Sequence, residues 1–217
     1  MKKTLMAVLF VLALLQHVTA QAAGKESFPS VTIGSQTWMS ENLNVTAFRN
    51  GDKILEVRSA AAWIKAYNEK SPAWCFYEFK AANGKKYGKL YNWYAVQDAR
   101  GLAPKGWRVA TVEDWAELAR SAGPEDSAAK QLRSRSGWKQ NGNGANSLGF
   151  NGLPGGSVNA YGMFGDLGFW GSWWSYNGAE AKLVKGVYLK FDSDRIEEYA
   201  SYLKTDGLSV RCVRENQ

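Results

Sequence analysis

The densest group of side chains that could engage a ligand is the run Phe169-Trp170-Gly171-Ser172-Trp173-Trp174-Ser175-Tyr176-Asn177, set among glycines. Flat rings with a polar edge stack on sugar rings or fill a partner's pocket at small entropic cost. Neighbouring residues of an extended strand face opposite ways, so Trp173 and Trp174 cannot both point into the core. One of the two is expected inside. The other joins Trp170, Tyr176 and Asn177 as a ligand-binding candidate. Packing within a loop-rich domain is the competing use of the same rings.

Other chemistries are bounded by what is missing. The only histidine, His17, lies in the first twenty residues, so a chain cleaved after them has no Ser-His-Asp or Cys-His mechanism and no His-ligated metal. Asp192, Asp194, Glu197 and Glu198 form an acidic knot, but without the glycine and later glutamate of a calcium loop. A solvated hairpin end is the expectation there. Glu113, Asp114, Glu117, Glu125 and Asp126 read as helical surface charge and capping rather than as a hydrolytic carboxylate pair. Two cysteines remain, Cys75 and Cys212. In an oxidising compartment they are expected to form one disulfide, the alternative being two buried free thiols. No cofactor and no metal is expected.

The compartment is read from the N-terminus. Lys2 and Lys3 precede an apolar run from Leu5 to Leu15, and Val18-Thr19-Ala20 supplies small residues for a peptidase. Residues 1–20 therefore read as a secretory signal peptide, with the mature chain starting near Gln21 or Ala23. The apolar run is too short to span a bilayer core, which needs ~20 residues. The expected locale is the periplasm, cell surface or medium. The net charge of +7, from 27 basic and 20 acidic residues, falls to +5 (25 minus 20) without Lys2 and Lys3. The basic residues are scattered rather than clustered, which argues against a nucleic-acid partner.

One domain is expected over residues 25–217. A strand at Ser30 to Ile33, turned by Gly34, precedes Thr37-Trp38-Met39. Ser59 can cap a helix running through Tyr67 and ended by Pro72. An aromatic strand is expected from Trp74 to Phe79, closed by Asn83-Gly84. Tyr87, Leu90, Tyr91 and Tyr94 have the spacing of one helical face. Thr111 can cap a second helix, with Asp114 beside its first-turn amides and Gly123-Pro124 after it. Ten of the 22 glycines fall between positions 142 and 171, too dense for long helices, so a long loop region with short strands is expected. Val187 to Phe191 and Leu208 to Val213 alternate as strands. The sum is an α+β domain with an antiparallel sheet.

The order of segments resembles the Fibrobacter succinogenes major paralogous domain of exported bacterial proteins. The residues that carry this are Ile33 to Met39 with Glu41-Asn42-Leu43, Pro72 to Cys75, and Tyr87-Gly88-Lys89-Leu90-Tyr91-Asn92-Trp93-Tyr94-Ala95-Val96. Leu102 to Trp107, Gly149-Phe150, Leu153 to Gly156, Trp173-Trp174-Ser175 and Gly207 to Arg214 follow. The resemblance implies a branch of the C-type lectin-like fold, two helices packed on a small twisted antiparallel sheet with a long loop region. Arg108 to Trp115 is similar to a signature of the formylglycine-generating sulfatase-modifying enzymes in that fold. Such an oxidase would use two cysteines near the C-terminal strand, and only Cys212 lies there, 137 positions after Cys75. The sugar-binding calcium triplets of lectin branches are absent. The expected function is an exported, non-catalytic binding or surface-assembly module for a glycan or protein ligand; the alternative is an enzyme of the sulfatase-modifying type.

Overall fold

Gly34 sets the first element: its φ of +59° is open to glycine at little cost, and it reverses the chain between β1 (Ser30–Ile33) and β2 (Gln36–Met39). A computed structural model describes residues 28–178 and 184–215 of the chain. The expected signal peptide and both expected mature N-termini lie outside those residues.

After β3 (Leu55–Glu56) comes α1 (Ala60–Asn68), where the Ser59 hydroxyl accepts from the Ala62 amide at 3.2 Å. Trp63 and Ala66 are its buried face. The next stretch departs from expectation. β4 is only Ala73–Cys75, followed by a single 3-10 turn at Tyr77–Phe79, α2 (Ala81–Tyr87), β5 (Leu90–Asn92) and α3 (Trp93–Val96). Asn83-Gly84 sits inside α2, and the expected helical face from Tyr87 to Tyr94 is divided among three elements. The reason is the position of β5. It lies inside a sheet with both faces covered, so Leu90, Tyr91 and Asn92 are all buried and the apolar spacing no longer reports one face.

β6 (Trp107–Val109) leads into α4 (Val112–Ser121). Thr111 and Asp114 form the two reciprocal bonds of a capping box, satisfying two amides that the helix leaves unpaired. Trp115 and Leu118 are buried beneath it. α5 (Ala128–Leu132) follows, and then the glycine-rich region with β7 (Ser157–Val158), β8 (Phe164–Gly165) and β9 (Trp170–Ser175). The chain ends in β10 (Val184–Lys190), β11 (Ser193–Tyr202), β12 (Gly207–Leu208) and β13 (Cys212–Arg214).

The architecture is α+β, with the strands in three sheets rather than one. Their orders are β1-β2-β13-β6, β11-β10-β9 and β3-β4-β5-β12-β7-β8. All pairings between named strands are antiparallel except β3 with β4. The terminal alternating stretch is two strands, because Ser209 to Arg211 carries the chain from the third sheet to the first. The final strand thereby returns beside β2. Among the described residues no helix is long and apolar enough to cross a membrane.

The disulfide expected between Cys75 and Cys212 is not formed; both are buried free thiols. Cys75 lies on β4 and Cys212 on β13, strands of different sheets whose side chains enter different apolar clusters. Burial raises the pKa of both thiols, that of Cys212 to about 12.

Candidate functional site

The aromatic run is strand β9, an edge of its sheet that pairs with β10 from Trp170 opposite Lys190 to Ser175 opposite Lys185. Alternation puts Trp170, Ser172 and Trp174 on one face and Gly171, Trp173 and Ser175 on the other. Gly156 helps to seat the strand. Its φ is +65°, its amide donates to the Trp170 carbonyl at 3.0 Å, and an added Cβ would lie 2.3 Å from the Gly165 carbonyl oxygen.

Trp173 and Trp174 do point to opposite faces, but neither is available to a ligand, since both are fully buried. This corrects the expectation that one of them is a binding residue. Trp173 packs against Trp115 and Phe150, with its indole N–H donating to Asn42 Oδ1 at 2.7 Å. Trp174 meets Trp93 edge-on at 5.3 Å and donates to the Tyr91 carbonyl at 2.6 Å. Each face of β9 is covered by a separate apolar cluster, so opposite directions lead to two cores rather than to one core and solvent. Tyr176 is half-buried and lies flat against Trp93 at 5.7 Å. Asn177 is also half-buried.

Trp170 differs from every other tryptophan. The chain has ten, and nine of them are buried; Trp170 is the remaining one. It stacks on Tyr188 at 5.0 Å and 14°. The Lys190 amino group stands 5.2 Å from each ring centroid. Glu197 of β11 accepts from the Tyr188 hydroxyl at 2.9 Å and from Lys190 Nζ at 3.0 Å. Burial opposes the charge of Glu197, but the bonds from Lys190, Tyr188 and Ser193 outweigh it and hold the carboxyl below its ordinary range. The result is an aromatic pair with a charged, polar edge on a paired hairpin. Sequence reasoning missed Tyr188 and Lys190. Their signal was the alternation of β10, in which 188 and 190 take the face opposite to buried Val187 and Leu189.

The acidic knot serves several structural contacts. Asp194 accepts from Arg133 at 2.5 Å, Glu197 pairs with Lys190, and Glu198 lies 3.8 Å from Lys185. Among the described residues no three His, Cys, Asp or Glu side chains are grouped to hold a metal ion.

The signature segments meet elsewhere, at Arg211. This fully buried guanidinium donates to Asn42 Oδ1 at 3.1 Å and to the carbonyls of Met39, Phe150 and Asn151 at 2.8, 2.6 and 3.2 Å. It lies 4.3 Å from the Phe150 ring centroid. Asn42 in turn donates to the Tyr87 carbonyl and the Ser209 hydroxyl. Burial lowers the pKa of Arg211 to about 9, so it stays charged at neutral pH while neutral oxygens solvate it. The segment Arg108 to Trp115 is likewise structural, with the Arg108 guanidinium gripping both oxygens of Asp114 and fixing the capping box.

Fold and site together define a small α+β domain whose signature residues build an interior polar knot, with the Trp170–Tyr188 pair half-exposed on a sheet of its own. The chain belongs to the Fibrobacter succinogenes major domain family, which it matches over residues 31–214. No curated protein and no solved structure matches it.

Proposed function

We propose that this protein is an exported, non-catalytic binding or surface-assembly module whose contact surface is centred on Trp170 and Tyr188. The observation that carries the proposal is the exception made for Trp170. A chain that buries its other nine tryptophans leaves this one half-exposed, stacked on a tyrosine and edged by Lys190 and Glu197. Such a surface offers ring faces to the apolar side of a sugar, and a carboxylate and an ammonium to its hydroxyls. The thiol-oxidase alternative draws no support from two protonated thiols on separate sheets.

We also infer a C-type lectin-like fold, which is supported by the return of β13 beside β2 and by the long loop region between α5 and β9. Export is supported by the order of charge, apolar run and small residues at positions 2–20. Retention on insoluble polysaccharides and a glycan array tests the binding reading. Trp170→Ala is expected to weaken selective retention roughly thirtyfold or more, and equal retention of the variant refutes the assigned surface.

A further inference from the structure

We propose that Lys89 and Asn44 form an intramolecular isopeptide bond, closed by attack of the lysine amine on the asparagine side-chain amide.

The argument starts from an unusual lysine. Lys89 is 4 % exposed, whereas lysines are almost never buried without a charged partner. Among the described residues its Nζ forms no ion pair. It donates instead to the backbone carbonyl of Asn44 at 2.8 Å and makes a short contact with Asn44 Oδ1. The same nitrogen stands 4.5 Å from the Trp74 ring centroid and 5.3 Å from that of Phe76. Burial lowers its pKa, raising the share of neutral amine, the form that is nucleophilic. Gly88 permits the approach. With φ at +77°, its missing Cβ would lie 3.1 Å from the Asn42 Cβ and 3.2 Å from the Leu43 carbonyl oxygen.

Contact with Oδ1 leaves the amine one atom from Cγ, so a sideways shift converts the hydrogen bond into an attack geometry. In the step, the Nζ–Cγ bond forms and the Cγ–Nδ2 bond breaks. One proton passes from the attacking nitrogen to Nδ2, which departs as ammonia. A lysine amide replaces an asparagine amide, with no oxidant or other reagent required. Asn44 is exposed and lines a cleft of about 530 Å³, which gives the ammonia an exit.

The bond would tie the loop after β2 to the start of β5, a staple in a protein whose two thiols do not meet. The test is the mass of the denatured full chain compared with that calculated from its own N-terminus. The expected result is the loss of one ammonia, together with a branched tryptic peptide joining the Asn44 and Lys89 segments. The calculated mass, with both side chains recovered unmodified, overturns the proposal. Lys89→Arg keeps the charge but should retain the full mass; an ammonia loss persisting there places the reaction elsewhere and overturns the assignment.

Discussion

Replacing Trp173 and Trp170 separately by alanine sets the two fates of the aromatic run against each other. Trp173 is fully buried among Trp115, Phe150 and the Arg211 guanidinium, and its N–H is held by Asn42. Trp173→Ala should cost ~3 to 5 kcal/mol through the cavity it leaves. At ~2 to 4 °C per kcal/mol for a domain of this size, the melting midpoint should fall by ~6 to 20 °C. Trp170 lacks that enclosure, and its removal forfeits mainly the stack on Tyr188, ~0.5 to 1.5 kcal/mol, so the midpoint should fall by ~1 to 6 °C. Binding should reverse the order. Trp170→Ala should weaken capture of a retained polysaccharide by ~2 kcal/mol or more, roughly thirtyfold. Folded Trp173→Ala should bind as the parent does. Thermal melting by circular dichroism and affinity measurement on both variants decide the matter. Equal destabilisation by the two substitutions, with no selective loss of affinity, would refute the distinction between core and contact surface.

Further tests address the knot, the cap and the thiols. Arg211→Met should cost ~3 kcal/mol or more, seen as a lower urea midpoint, because the Met39, Phe150 and Asn151 carbonyls lose their donor. Arg211→Lys should rescue little, since an ammonium lacks the fork that reaches them. Burial works against the Asp114 charge, but Arg108 and the Thr111 amide more than offset it and lower its pKa from 3.8. Its contribution is therefore present above pH 3.8 and lost as pH falls below that through the folded value. Asp114→Asn should remove ~1 kcal/mol at neutral pH and flatten the acid limb of the stability curve; an unchanged acid limb contradicts this. Thiol reagent at pH 8 should label neither Cys75 nor Cys212 in the native protein and both in the denatured, unreduced protein. Rapid native labelling, or only absent labelling after denaturation, would show the assigned burial or free state to be wrong.

Local chemistry was legible in the sequence wherever a few neighbouring residues decide the backbone. Ser59 and Thr111 start helices, Gly34 turns β1 into β2, and Val187 to Lys190 alternates as a strand, each because the partner groups lie within four residues or a period of two. The order of segments was likewise enough to place the chain in its family. Tertiary structure alone decided what the apolar residues face. Periodicity reports which side of an element is buried only when the other side meets water, and β5 and the Gly171–Ser175 part of β9 have both sides covered. Hence Leu90 and Tyr91, with Tyr87 and Tyr94, imitated one helical face, and Trp173 and Trp174 both became core. The same holds for partners far apart in the chain. Trp173 meets Asn42 across 131 positions, and Cys75 and Cys212 lie on strands that belong to different sheets. Trp170 stayed half-exposed at the end of β9, where Tyr188, Lys190 and Glu197 share its face, an arrangement created only when β10 and β11 pair beside β9.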